Sequence, residues 1–402
     1  MKLDHFLGGT LLVSGTTIGA GILALPVITG FIGFIPALCV FFVCWGMMLA
    51  SAFFFLDVNL SLKGEPNFIS MARATLGRPA AWLNWIFYLL LLYSLLAAYI
   101  AGSAPLFQMG AERFLHYQLP QWGSYFCLPV LFAAFVYLGT GGVDLINRIL
   151  MIGLGLAYAV IIGALPGHVD GRLLTHVDWS LTPLVTLVVM TSFGYHIIIP
   201  SLTTYMSHDR THLRWTLFIG SLIPLLAYLL WEVLTLGVVP LSLLEGAWQR
   251  GEGVSGVLAH LLQKPWISVA VHCFAFFTIV TSFLGVSLSL ADFLTDGLKI
   301  KKSWEGRLLA MGLVFIPPLV FLFSYERGFM LALEYAGGLV AILLVIFPAM
   351  MAWTLKMPLY YRTLPGRALL IVVMIFGLLV VGAEVMVRTG HFNSFLENYV
   401  SH

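Results

Sequence analysis

The sequence predicts an all-α polytopic membrane protein of about eleven transmembrane helices: two five-helix blocks of opposite orientation plus one extra C-terminal helix. Three observations predict it. Hydrophobic residues make up 60% of the 402 residues and charged residues only 9%, against about 25% charged in an average soluble protein. Apolar runs of bilayer-spanning length recur along the whole chain. Two of those runs carry the same interruption, five spans apart. With 20 basic and 18 acidic side chains, a soluble chain of this length could not cover its surface, so the apolar excess faces lipid. A soluble enzyme, a nucleic-acid binder and a disordered scaffold are excluded as whole-chain readings. The net charge of +2 implies no acidic partner. Cys39, Cys44, Cys127 and Cys273 lie inside apolar runs, where cysteine acts as a small hydrophobe rather than a disulfide or metal ligand.

A span needs about 20 mostly apolar residues. Such runs fall at about 7–30, 34–57, 79–107, 123–142, 147–166, 180–206, 215–240, 265–291, 307–323, 328–354 and 367–387. The first reads as an uncleaved span, because its basic region is Lys2 alone, offset by Asp4, and no A-x-A-like site follows it. A stretch opened by Glu65-Pro66-Asn67 and ending near Gly77 reads as an amphipathic helix on the cytoplasmic face. The fourth and fifth spans join through a tight turn at Gly141-Gly142. Residues Gly251 to Leu262 read as an outer re-entrant or cap helix, and the short ninth span carries Pro317-Pro318. With no long linker, 1–402 is one membrane domain: repeat one about 7–166, repeat two about 180–354, extra helix about 367–387.

Basic residues orient the spans, because Lys and Arg accumulate in cytoplasmic loops. With the N-terminus inside, six basic residues fall outside (Arg113, Arg172, Arg250, Lys264, Arg327 and Arg388) and the other fourteen inside, including the Lys299/Lys301/Lys302 cluster. The predicted topology is N-inside, C-outside.

The shared interruption runs from Thr16 to Pro26 in the first span (Thr-Thr-Ile-Gly-Ala-Gly, then Pro) and from Thr191 to Pro200 in the sixth (Thr-Ser-Phe-Gly-Tyr-His, then Pro), 175 residues apart. One such break means little, since Gly and Pro are common in membrane helices. Matched breaks in successive five-span blocks predict an inverted repeat with its site at the midplane. An unwound turn frees N–H and C=O groups that lipid cannot satisfy, so it must face a cavity or a ligand. At Gly19, Ala20 and Gly21, beside Thr17, freed N–H groups at the start of a half-helix form an anion pocket. Freed carbonyls around Ser192, Phe193 and Gly194 suit an ammonium group or a small cation. Together these match the two charged ends of a free amino acid.

At these residues the chain resembles a known family. Ser14-Gly15-Thr16-Thr17-Ile18-Gly19-Ala20-Gly21 with Pro26 resembles the opening of the bacterial tryptophan/tyrosine permeases, the hydroxy and aromatic amino acid permease family. Thr191 to His196 with Pro200-Ser201, Leu213-Arg214-Trp215 with Ile219 to Leu225, and Thr281 to Val286 with Asp292 resemble that family's sixth, seventh and eighth helices, in order. The resemblance implies a leucine-transporter-type fold of the amino acid–polyamine–organocation superfamily. It further implies a secondary symporter in the bacterial inner membrane that imports tyrosine, or next tryptophan, by alternating access with protons. Its substrate is a free amino acid; no cofactor, obligate protein partner or enzymatic step is implied.

Coupling stays open between H+ and Na+. The fifth helix reads Gly153-Leu154-Gly155-Leu156 without the lysine that proton-coupled relatives often carry. Thr281-Ser282 supplies a hydroxyl pair that in sodium-coupled members faces first-helix carbonyls. His196, adjoining the break, and Glu232, in the apolar outer half of the seventh helix, are the titratable coupling candidates, with Asp292 near the cytoplasmic end of the eighth helix. Asp57 and Asp292 also read as gate or ion-pair residues, and Glu334 and Glu384 as side chains snorkelling to the outer interface. His208 and His212, spaced like a metal pair, sit with Arg210 and Arg214 in a solvated basic turn. For an aromatic ring the candidates are Phe193 and Tyr195, then Tyr99, Phe276 and Phe277. Two other classes remain: a sensor that binds without translocating, and an ion channel.

Overall fold

The structure, a computed structural model, is described for residues 3–64, 66–138, 140–301, 303–325, 328–355 and 359–390. Lys2, Glu65, Lys302, Arg327 and Lys356, which enter the sequence-based topology, lie outside these residues. The described elements are helical throughout. In chain order they are α1 (Leu3–Thr17), α2 (Gly21–Thr29), α3 (Phe34–Ser61), α4 (Phe68–Leu76), α5 (Arg78–Leu115), α6 (Gln121–Leu138) and α7 (Thr140–Ala164). They continue with α8 (Thr182–Thr191), α9 (Ile199–Tyr205), α10 (Arg210–Leu236), α11 (Leu241–Arg250), α12 (Val254–Leu262) and α13 (Pro265–Gly297). The chain closes with α14 (Trp304–Ser324), α15 (Gly328–Val340), α16 (Phe347–Thr354) and α17 (Leu364–Arg388). Among the described residues nine helical stretches are long and apolar enough to cross a bilayer, and α1 with α2, bent by 53°, forms a tenth. The predicted fourth span is the shorter apolar helix α6.

Several boundaries differ from expectation. Gly141 and Gly142 belong to the first turn of α7, so α6 and α7 meet at Gly139, outside the described residues. The third span extends to Leu115, through Pro105 and a polar last stretch that hydropathy alone does not count. The amphipathic stretch is α4, started by Asn67, whose side chain accepts from the Ser70 N–H at 2.9 Å. The predicted outer cap comprises two helices, α11 and α12, packed on α2 and on each other.

Two layers organise the bundle. The broken pair α1–α2 packs on α10 and α8–α9 on α3, with α3 against α10, while α13 packs on α7 and α5, and α5 on α15; α8 meets α15 across the layers. Rows such as Ile149, Ile152, Leu156 and Val160 on α7 are exposed at helical spacing, the stripe a lipid-facing helix presents.

Prolines expose the logic of the core. A proline within a helix leaves the carbonyl four residues earlier without its N–H, and lipid offers no replacement. Four such carbonyls take a donor from a neighbouring helix. Ile22 C=O, freed by Pro26, accepts from Trp231 Nε1 at 2.9 Å. Gly220 C=O, freed by Pro224, accepts from Ser14 Oγ at 2.9 Å. Leu313 C=O, freed by Pro317, accepts from the Tyr93 hydroxyl at 2.8 Å. Leu344 C=O, freed by Pro348 and lying in the π-helical segment Ala341–Ile346, accepts from Ser51 Oγ. Each bond ties two helices together at a fixed height.

At the predicted cytoplasmic end, the buried Asp57 carboxylate of α3 accepts from Arg210 Nε at 3.0 Å, Arg214 at 2.8 Å and the Tyr361 hydroxyl at 2.5 Å. Burial and the adjacent Asp57 charge push the Tyr361 hydroxyl well above the ordinary phenol range, so it serves as a fixed donor. This is the ion-pair role expected of Asp57. Nearby, His212 pairs with Asp209 at 2.8 Å, and its N–H and ring hold the Asp209 carboxyl below its ordinary value. Glu334 and Glu384, expected to snorkel to the outer interface, converge on Arg388 at 3.4 Å and 2.8 Å. The guanidinium lies 3.7 Å over the Tyr335 ring. A charge kept inside a membrane bundle is best satisfied by a partner, and α15 and α17 are adjacent enough to provide one.

Candidate permeation site at the paired helix breaks

The first break is the step from Thr17 to Gly21. Regular hydrogen bonding ends with Ile18 N–H to Ser14 C=O at 2.9 Å. It resumes as short-range bonds from Ile22 to Gly19 and Leu23 to Ala20, both 3.1 Å. The second break follows Thr191: Gly194 N–H reaches Thr191 C=O at 3.2 Å and Tyr195 N–H reaches Phe193 C=O at 3.1 Å. A 3-10 turn over Tyr195–Ile198 then leads into α9.

The two breaks touch. A Cβ on Gly21 would stand 2.6 Å from Ser192 Oγ, and one on Gly19 would stand 2.9 Å from Ser282 Oγ. A Cβ at either position would require the serine hydroxyl to shift, and glycine lets the two chains approach without that. Tyr228 of α10 lies across the junction: its hydroxyl is 2.6 Å from Thr17 C=O and 3.1 Å from Ser192 C=O. Its ring meets Phe193 edge-on at 5.5 Å and Phe41 at 6.1 Å.

One face of α10 therefore follows the whole broken first helix. Gly220, Tyr228 and Trp231 bond Ser14, Thr17 and Ile22 respectively, and the next residue, Glu232, has Oε2 2.6 Å from Thr29 Oγ1. Tyr228 and Trp231 were not among the residues singled out from sequence. The readable signal was the polar stripe Ser221, Tyr228, Glu232 and Thr235 on an otherwise apolar helix, at helical spacing.

Of the predicted residues, the structure brings Thr17, Gly19, Ala20, Gly21, Ser192, Phe193, Gly194 and Ser282 to this junction, with Tyr99 of α5 beside Ser282. Ala20, Phe193, Thr17 and Ser192 are buried there, whereas Gly19, Gly21, Gly194 and Ser282 are half-buried. Ala20 N–H already has an acceptor, Ser282 Oγ at 3.3 Å. Gly19 N–H faces the Tyr228 hydroxyl oxygen, so two of the three N–H groups predicted to form the anion pocket already meet a protein oxygen. Thr281 Oγ1 donates to Phe277 and Thr278 carbonyls of its own helix at 2.9 and 3.1 Å, and Ser282 Oγ to Thr278 at 2.9 Å.

Other predicted residues lie elsewhere. Tyr195 and His196 stack at 5.2 Å and turn away from α5 and α13, Tyr195 towards Ser221 of α10 and His196 towards Phe55 and Met48 of α3. Phe276 faces Phe132 of α6 at 6.5 Å, and Phe277 fills the notch over Gly153 of α7. The aromatic that faces inward from α13 is Phe274, 5.2 Å from Trp231 and 5.7 Å from Tyr158. Asp292 lines a separate cavity of about 190 Å³ with Tyr137, Thr295, Lys301 and Arg307, at the predicted cytoplasmic ends of α6, α13 and α14.

Comparison with known proteins accords with this architecture. The chain is 31% identical over 398 residues to tyrosine-specific transport system 1 of Haemophilus influenzae, covering 97% of this chain and 98% of that one. It is 30% identical over 416 residues to the tryptophan-specific transport protein of the same organism, covering 98% and 99%. Among solved structures it resembles the manganese transporter of Eremococcus coleocola, with a TM-score of 0.61 at 14% identity over 96% of this chain and 87% of that one, a likeness of fold alone. Residues 2–384 match the model of the tryptophan/tyrosine permease family. The chain belongs to that family, and is a multi-pass membrane permease rather than an enzyme.

Proposed function

We propose that this permease imports an aromatic amino acid, tyrosine favoured and tryptophan next, across the bacterial cytoplasmic membrane by proton symport with alternating access. The relatives named as tyrosine- and tryptophan-specific transport proteins support the substrate class. The observation that carries the reading is the contact of the two breaks, Gly21 against Ser192 with Tyr228 across them. In this reading the substrate carboxylate takes the Gly19 and Gly21 N–H groups. Its ammonium takes the Ser192 and Phe193 carbonyls, and its ring lies towards Tyr99 and Phe193. The N-terminus is cytoplasmic and the C-terminus outside.

For coupling, Glu232 is favoured over a sodium site. Thr29 Oγ1 has one proton and two acceptors, Leu25 C=O at 2.8 Å and Glu232 Oε2 at 2.6 Å. When Glu232 is a neutral acid it donates to Thr29 while Thr29 donates to Leu25; when it is ionised, the Thr29 hydroxyl donates to it instead. The Ser282 oxygen, by contrast, receives the Ala20 N–H, and a donor aimed at an oxygen competes with a cation for it.

Uptake of labelled tyrosine, tryptophan and phenylalanine into proteoliposomes under a pH gradient or a sodium gradient tests the proposal. Accumulation driven by the pH gradient is the expected result. Uptake of none of them under either gradient would refute it, and binding without accumulation would establish the sensor instead.

A further inference from the structure

We propose that Tyr228 is a positioning residue whose hydroxyl, in the empty carrier, holds the Thr17 carbonyl and the Ser192 carbonyl assigned to the ammonium, and yields Ser192 to substrate. The inference rests on the reading that an amino acid's ammonium binds at the sixth-helix break. Thr17 C=O lacks the N–H four residues on because the helix breaks before Gly21. Ser192 C=O lacks its own because the chain turns before His196. A buried carbonyl without a donor is costly, and Thr17 and Ser192 are both buried.

Tyr228 supplies one O–H for both, at 2.6 and 3.1 Å, from a fully buried side chain fixed between Phe193 and Phe41. One proton satisfies two acceptors incompletely. An ammonium brings three donors with a full charge, and charge-assisted bonds are about twice as strong as neutral ones, so it displaces the hydroxyl. Without substrate the hydroxyl returns, clamps α1 to α8 through their broken ends, and lets the empty carrier reset without two orphaned carbonyls. Tyr228 thus acts on the substrate-free half of the cycle.

The test is Tyr228→Phe, which keeps the ring packing and removes only the donor. In proteoliposomes, net uptake is expected to fall at least about fivefold further than tracer exchange, because exchange never requires the empty carrier to reorient. Equilibrium binding of tyrosine or tryptophan is expected to tighten by roughly five- to tenfold, since the empty site alone loses a hydrogen bond. Equal loss of exchange and net uptake, or weaker binding, would overturn the proposal. If the variant fails to accumulate in the membrane, fluorotyrosine placed at position 228 reports the same event by 19F NMR. A resonance that moves on adding substrate is expected, and one that stays fixed at saturation would refute displacement. Lack of transport or binding by the unaltered protein would instead defeat the underlying functional reading.

Discussion

Replacing Glu232 by glutamine is the sharpest perturbation of the coupling scheme. The side chain is fully buried on α10, with Oε2 2.6 Å from Thr29 Oγ1 and Thr29 2.8 Å from Leu25 C=O. A glutamine fills the same volume, stays neutral, and donates to Thr29 through its amide as the acid does through its O–H. The hydrogen-bond chain to Leu25 survives, so stability should change by no more than about 1 kcal/mol. Coupling does not survive, because an amide cannot release a proton. A proton moving down about 150 mV supplies about 3.5 kcal/mol at ~2.3 kcal/mol per 100 mV, which sustains roughly a 300-fold substrate gradient at one decade per ~1.36 kcal/mol. Steady-state accumulation by Glu232→Gln should therefore collapse towards about onefold, while exchange across the membrane continues. The assay is labelled tyrosine or tryptophan accumulation under an imposed pH gradient, with the melting temperature of purified protein as the folding control. A folded Glu232→Gln protein that still accumulates substrate to the unaltered level would remove Glu232 from the coupling scheme.

Three further perturbations follow from the geometry. Gly21→Val, whose first carbon alone would meet Ser192 Oγ at 2.6 Å, should force the breaks apart and abolish substrate binding while membrane expression persists; measurable binding would contradict the assigned site. Asp57→Asn leaves Arg210 and Arg214 facing each other without their shared carboxylate. Because both guanidiniums are half exposed, it should lower stability by about 2 kcal/mol rather than the full cost of a buried pair, read as a lower melting temperature. Phe276→Leu with Phe277→Leu should leave substrate affinity within about twofold, because both rings face α6 and α7 and a conservative change away from a site has small effects; a large rise in KM would restore them to the ring pocket.

The breaks were legible because the chemistry that makes them is local. Gly19, Gly21, Pro26, Gly194 and Pro200 announce themselves by residue type, and matched spacing separated them from ordinary packing glycines. The rotation of each flanking helix was not legible. Phe274, Phe276 and Phe277 differ by only a few positions on α13, and choosing the inward one requires knowing which neighbours surround it. Tyr195 and His196 were placed by adjacency to the break, yet the 3-10 turn there rotates them towards α3 and α10. Tyr228 and Trp231 were missed for a different reason. Their roles exist only across helices, as donors to the carbonyls of Thr17 and Ile22, 211 and 209 residues away in sequence. A pattern does carry back to sequence: the carbonyls four residues before Pro26, Pro224, Pro317 and Pro348 are met by donors from neighbouring helices, Trp231, Ser14, Tyr93 and Ser51. Glu334 teaches the same lesson, since its pairing with Arg388 depends on α15 lying beside α17, whereas Glu384 meets Arg388 four residues on in its own helix.

The central claim is that an aromatic amino acid is held where the two broken helices meet. An experimental structure with tyrosine or tryptophan bound tests it most directly. The carboxylate should lie about 3 Å from the Gly19 and Gly21 N–H groups, and the ammonium at the Ser192 carbonyl, with the Tyr228 hydroxyl displaced from it. Substrate density in the cavity beside Asp292 and Arg307, with the breaks unoccupied, would contradict the account.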